Sequence, residues 1–360
     1  MIGKGIMKKA FTKLKRKKHE KVAPSRITNE TIAEHREKIL AGGKKFKYPH
    51  QYVRHKLVIN AIIIAAVSLV VLTIIAWWQL YVVQNTSEFM YRMTRVLPVP
   101  VASVEGEQMR YSDYLMRYRS QELWLSGTGR MNLDGKEGDR QLSYVKRSVL
   151  DGLIADTYAA KRAKELNITV SDNDIQKIID QKRATATGTI SQEVYNASIK
   201  DTLGYSPDEY RHILKQSLLR QRVAYSLDKK ADALQKEINA KILADPAVSL
   251  KALADGYAGK ESTIVYGASG IMVPKTNQDG GLSQLAVSLK DNEISKSFRS
   301  TTGDGYYFVR RIEKNDRQVS YEYVVVNLTE FSKDVAKLKK DNKVQEFISI
   351  KEVKQEQEKG

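Results

Sequence analysis

The chain has 360 residues, 60 Lys and Arg against 42 Asp and Glu, a net charge of +18, and no cysteine. Without a thiol it can support neither thiol catalysis nor disulfide exchange, and it cannot hold a Cys-ligated metal. The histidines are His19, His35, His50, His55 and His212, four of them in residues 1–56, with no HExxH or His-rich cluster; no catalytic zinc, and no cofactor of any kind, is expected.

Residues 1–56 form a basic head, with 17 Lys/Arg against 4 Asp/Glu, so most of the net charge sits there. MIGKGIMKKAFTKLKRKKHEK places Ile2, Ile6, Phe11 and Leu14 on one helical stripe ringed by lysines, which suits a short helix on an anionic lipid surface. Phosphate backbones attract the same charge, but no folded RNA-binding motif accompanies it, so a nucleic-acid role is not expected. The alternative is that the lysines only set topology. Thr28 or Asn29 is expected to cap a helix carrying Ile39 and Leu40 and ended by Gly42-Gly43.

Residues 57–78, LVINAIIIAAVSLVVLTIIAWW, contain no charge. As a helix at about 1.5 Å per residue they would span roughly 33 Å, enough for a hydrocarbon core of about 30 Å. The positive-inside tendency then puts the head in the cytoplasm and the remainder outside, anchored in the plasma membrane as a single-pass protein. Trp77, Trp78 and Tyr81 would lie at the outer interface, where amphipathic rings are favoured. A cleaved signal peptide is disfavoured: the apolar core is too long, the basic region too extended, and WWQLY is no small-residue cleavage site.

Residues 79–98 read as a linker ending in Pro98 and Pro100. A short strand, a Gly106 turn and a helix capped by Ser112 follow, then a Gly-rich loop over 126–139. The next helix sets Leu142, Val145, Val149, Leu150, Leu153, Ile154 and Tyr158 on one face. Ser171 with Asp174, and Ser206-Pro207 with Glu209, mark the starts of two more helices as capping boxes. This makes 99–243 a helical domain. From 244 to 350 the pattern becomes α+β: strand-like TIVY, YYFVRRI, VSYEYVVV and KVQEFISI alternate with short helices and Gly-rich turns, and Thr329 is expected to cap a helix through Leu338. A polar tail, 351–360, ends the chain. The fold class is α+β.

VASVEGE followed by YSDY, then SVLDGLIADTY with KELNITVSDNDI, then LGYSPDEYRHILKQSLLRQ resemble, in order, the strand–turn–helix opening, the second and third helices, and the closing helix of the SurA-type N-terminal chaperone domain. The resemblance implies a membrane-anchored relative of the SurA/PrsA/PpiD parvulin foldases, whose helical domain cradles unfolded clients. GGLSQLAVSLKDNEIS (280–295) followed by GDGYYFVRRI resembles the second half of a parvulin prolyl-isomerase domain. Parvulin sites use two histidines, and none follows His212 here. In this resemblance Tyr307 stands at the strand histidine, Leu282 at the proline-pocket Phe and Gln278 at the Met; no convincing equivalent of the family's first strand precedes residue 263, and VSYEYVVV is a candidate for that place in the sheet.

No GxSxG or nucleophile–base pair is present; Ser143, Ser148 and Ser217 read as helix-surface residues, so no catalytic residue is assigned. The tyrosines, including Tyr111, Tyr114, Tyr118, Tyr210, Tyr321 and Tyr323, fit either core packing or a client-binding surface. The sequence thus points to a membrane-anchored extracytoplasmic chaperone or foldase that binds unfolded exported polypeptides, with isomerase activity weak or lost. An active parvulin-type isomerase and a non-catalytic envelope scaffold are the rivals.

Overall fold

The computed structural model describes residues 28–47, 49–127, 135–185, 188–259 and 263–350. The amphipathic stripe expected in residues 2–14 and the polar tail lie outside them. The chain divides into two compact units, residues 1–75 and 76–360.

In the first unit, α1 (Asn29–Lys47) starts where the Thr28 signal places it, with Thr31 donating its hydroxyl to the Thr28 carbonyl at 2.7 Å. It runs straight through Gly42-Gly43, which therefore do not end it. The long helix α2 (Pro49–Trp77) carries the apolar run, whose side chains from Leu57 to Ile75 are all exposed. Continued by one π-helical turn (Trp78–Val82), it gives a stretch, Lys56–Val82, long and apolar enough to cross a bilayer.

In the second unit, residues 79–98 are not an extended linker. The π turn seats Leu80 in the core, and α3 (Glu88–Val96), capped by the Ser87 hydroxyl, buries Met90 and Thr94. Strands β1 (Pro100–Val104) and β2 (Glu107–Arg110) form a hairpin turning at Glu105-Gly106, both with positive φ. Then α4 (Tyr111–Gly127) begins one residue before Ser112, so that serine is a buried first-turn residue and not a cap. The expected stripe of α5 (Gly135–Glu165) is inside: Leu150, Leu153 and Ile154 are at most 2% exposed. α6 (Asp172–Arg183) and α8 (Pro207–Leu227) open with the expected capping boxes. Between them lie the small ribbon of β3 (Ala184–Thr185) and β4 (Gly188–Thr189) and helix α7 (Gln192–Leu203), whose Tyr195 shares a satellite core with Val170, Ile175 and Ile179.

The boundary expected at 243 falls earlier. α9 (Lys229–Ala244) and α10 (Leu250–Asp255) pack Ile238, Ile242, Leu250 and Leu253 against a sheet, not against the helical core. That sheet comprises β5 (Ile264–Ala268), β6 (Val273–Pro274), β7 (Phe298–Arg299), β8 (Gly305–Lys314) and β9 (Gln318–Asn327), in antiparallel order β5-β9-β8-β7 with β6 also on β9. VSYEYVVV is thus an interior strand, with TIVY beside it at the edge. Because side chains alternate across a strand, Tyr306, Phe308, Val324 and Val326 face α9 and α10, while Tyr307, Val309, Val319, Tyr321 and Val325 face α11 (Leu282–Ser288) on the other side.

After β9 the chain returns. α12 (Glu330–Lys340) and β10 (Val344–Glu346) belong to the helical domain: β10 pairs with β1, and Leu338 and Ile348 enter its core. The expected strand over 343–350 is therefore short and closes the first sheet, so the α+β segment ends near 328 and not at 350. Thr329 contributes no side-chain cap. The cap comes from Asp228, 2% exposed: its Oδ2 accepts the Thr329 and Glu330 N–H groups at 2.7 and 3.2 Å, while Oδ1 accepts Ala231 N–H at 2.9 Å. One carboxylate caps both α9 and α12. Asp228→Ala would leave three amides without that acceptor, and we expect a stability loss on the order of 2–4 kcal/mol in denaturant melts, with Asp228→Asn losing less.

Candidate functional site

The residues singled out by the parvulin resemblance meet only in part. Leu282 opens α11 and is 6% exposed; Tyr307 projects from β8 beneath it and is 8% exposed. Gln278 is exposed on the turn before α11 and does not join them. Gly280 and Gly281, with φ of +77° and +94°, make that turn, where a β-carbon would be strained.

The space around Leu282 and Tyr307 is filled by aromatic rings. Tyr307 packs on Tyr323 at 5.4 Å between centroids, and Tyr323 on Tyr321 at 6.3 Å. Tyr323 lies flat across the neighbouring strand at Gly267, where a β-carbon would come within 2.5 Å of its ring. The phenol hydroxyls are committed to carboxylates. Tyr307 donates to Asp304 at 2.8 Å, which also accepts from Thr302 at 2.7 Å and from the Ser300 hydroxyl. Tyr321 donates to Asp279 at 2.6 Å, which also accepts from the Ser283 N–H at 3.1 Å, its hydroxyl, and Asn277 at 3.1 Å.

These bonds set the electrostatics. Burial and the hydrogen bond to a carboxylate push both phenols far above their ordinary range. Burial alone would raise the two aspartates, but the hydrogen bonds they accept outweigh it and hold both below the usual carboxylate range. Neutral phenols paired with ionised carboxylates give no group that titrates near pH 7, the condition general acid–base work favours. Prolyl isomerisation needs rotation about a partly double C–N bond inside an apolar cup. Around Leu282 the side chains of Tyr307, Tyr321 and Tyr323 pack into one core cluster.

A second feature escaped sequence reasoning. An open trough of about 530 Å³ runs between the ends of α8 and α9 and the sheet, lined by Ile168, Thr169, Arg222, Tyr225, Arg299 and Tyr306 among others. Arg299 stacks over the Tyr225 and Tyr306 rings at 5.0 and 5.5 Å, and those rings meet edge-on at 5.0 Å. Tyr225 is fixed by donating to the Gly305 carbonyl at 2.6 Å. Arg222, Lys229, Arg299 and Asp232 line the open groove, while Tyr225 and Tyr306, 7% and 2% exposed, are themselves buried. No single motif signals it, because its residues come from three separate segments.

The other expected positions separate likewise. Trp77 and Trp78 are exposed, at 55% and 49%. Tyr81 is not free to sit in an interface: its hydroxyl donates to the Pro100 carbonyl at 2.6 Å and its ring meets Tyr111 edge-on at 5.9 Å. Tyr111, Tyr114 and Tyr118 are at most 2% exposed, which decides for packing over a client surface at those positions.

A family model described as the SurA-like N-terminal domain matches residues 51–224. The match takes in the apolar helix and stops just before the end of α8. The foldase protein PrsA of Caldanaerobacter subterraneus subsp. tengcongensis is 25% identical over 235 residues, 58% of this chain and 72% of that protein. Together these support a foldase of the SurA/PrsA type.

The carboxylates of the aromatic cluster yield a pH dependence. Because the folded values of Asp279 and Asp304 are depressed, their contribution is complete above the unfolded value of about 4 and is lost as pH falls through the folded values. Stability should hold from pH 7 to about 5 and decline below; in Asp279→Asn the decline should be shallower, read as denaturant midpoints across pH 3–7.

Proposed function

We propose that the protein is a membrane-anchored chaperone of the extracytoplasmic face that holds unfolded segments of exported polypeptides and has little or no prolyl isomerase activity. The observation that carries the second half is the filling of the proline cup by Tyr307, Tyr321 and Tyr323, with their hydroxyls committed to carboxylates. Support for the first half comes from the SurA-like domain and from the relative named a foldase. Clients would lie in the open trough, whose exposed lining includes Arg299 and Lys229. Lipid and unfolded protein are the partners in this reading, and no cofactor takes part.

The anchor in this reading is the stretch Lys56–Val82. Its side chains from Leu57 to Ile75, all exposed, fit lipid and do not fit a soluble core helix, which would be buried. The charge of the head sets its direction. Protease added outside intact cells should digest the body and leave a protected fragment that ends near residue 80. A protected C-terminal body would reverse the orientation.

The functional reading is tested by two assays on the purified full chain. Uncatalysed prolyl isomerisation takes tens to hundreds of seconds, so weak acceleration is readily seen. We expect none beyond a few-fold in a protease-coupled peptide assay, together with delayed aggregation of unrelated unfolded clients at near-stoichiometric ratios. Strong turnover abolished by Leu282→Ala would make the protein an isomerase; failure of both assays would make it a scaffold.

A further inference from the structure

The first twenty-odd residues of the second unit hold a concentration of uncovered apolar side chains. Among the described residues, Trp77, Trp78, Val82, Val83, Phe89, Val96 and Leu97 are all exposed, seven within 21 positions. Among the described residues of the far longer stretch from 98 to 350, only nine large apolar residues are exposed, scattered through it. Isolated apolar residues on a surface are ordinary, whereas a local concentration marks an interaction site.

Helix α3 is the ordered part of this stretch, and its two faces differ. One face is fastened to the body. Met90 and Thr94 are buried, Tyr91 donates its hydroxyl to Glu209 at the start of α8, and Arg119 holds the approach by donating to the Thr86 carbonyl at 3.0 Å and to Glu88 at 2.6 Å. The other face carries Phe89, Arg92 and Val96 at helical spacing, with Phe89 69% and Val96 82% exposed and the Arg92 side chain 76% exposed. Arg95, 61% exposed, flanks it. A helix pinned along one side and presenting aromatic, aliphatic and arginine side chains on the other has the pattern of a helix lying in a lipid interface: apolar groups enter the acyl boundary while arginines reach back to phosphates.

We infer that the outer face of α3 rests on the phospholipid surface of the leaflet that Trp77 and Trp78 enter, so that the body is held against the membrane. The inference rests on the anchored reading above. Continuity of the chain favours lipid as the occupant: Val83 and Phe89 are six residues apart, so α3 begins within a short reach of the segment assigned to the bilayer. The same core that seats Leu80 of the π turn seats Met90 of α3, which fixes both on one body.

The test uses the full chain in nanodiscs whose lipids carry bromines at shallow or deep acyl positions, with tryptophan quenching as readout. The chain has three tryptophans, Trp77, Trp78 and Trp124. A W124F protein reports the anchor; F89W and V96W, each on a background of W77F, W78F and W124F, report α3; Y144W on that background reports a residue of α5 that is 71% exposed. We expect quenching of Trp77 and Trp78, quenching of F89W and V96W by shallow bromines more than by deep ones, and none of Y144W. Quenched Trp77 and Trp78 with unquenched F89W and V96W would overturn the inference and leave the anchor intact. Absence of quenching at every site would overturn both. Shielding of F89W that varies with protein per disc but not with bromine would overturn it in favour of a second copy. Because both reporter positions are exposed, unchanged circular dichroism melts are expected for each, and two reporters guard against one that perturbs the fold.

Discussion

Asp228 sits where the second unit changes from one packing system to another, and back again. The chain leaves the helical domain at the end of α8, builds the sheet domain over a hundred residues, and re-enters at α12. Both crossings meet at this buried carboxylate, which accepts the first amides of α9 on one oxygen and of α12 on the other. Helix N-termini carry unsatisfied N–H groups and a partial positive charge, so a single anion between two of them satisfies both at once. The sheet domain is therefore inserted in the helical domain and tied at its base. β10 and Ile348 can complete the first sheet and core only because this base brings residue 329 back beside residue 228.

The insertion also explains the division of chemistry. In the sheet domain the α11 face is saturated: Leu282 and Ala286 lie over Tyr307, Tyr321 and Val325, and Asp279 and Asp304 absorb the phenol hydroxyls. A cup able to take a proline ring would have to leave that volume empty, at a loss of packing contacts which the tyrosines instead supply. What the domain keeps open is its other border, where Arg299 and Tyr306 of the sheet meet Tyr225 of α8.

The helical half was largely legible in the sequence because its signals are local. Capping boxes at Ser171 and Ser206 and the spacing of Leu150, Leu153 and Ile154 act within a few residues, and each is found as expected. The misreadings share one cause, dependence on distant partners. Residues 79–98 look like a linker until Leu80 and Met90 are given a core to enter. Gly42-Gly43 has no contact in the sequence that would show the helix continuing through it. Thr329 looks like its own cap, and only the fold brings Asp228 to it from 101 residues away. Of the positions the parvulin resemblance named, Leu282 and Tyr307 share one core cluster and Gln278 does not join it, while the trough, drawn from three segments, left no local trace.

The two ends of the second unit bear on how such a protein could work at a membrane. Its start, through Leu80 and Met90, and its end, through Leu338 and Ile348, enter the same core, so the second unit begins and closes in one packing cluster. Tyr111 donates to the Leu80 carbonyl at 2.6 Å, Tyr81 to that of Pro100, and Gln84 to that of Ser349, stitching the segment after the apolar helix onto β1, α4 and the C-terminal return. Hydrogen bonds at three points make residues 80–84 part of the folded second unit. The sheet domain is held to the helical domain at Asp228 and along α8, where Tyr225 donates to the Gly305 carbonyl and Gln221 to that of Ser300, and the trough lies beside that seam.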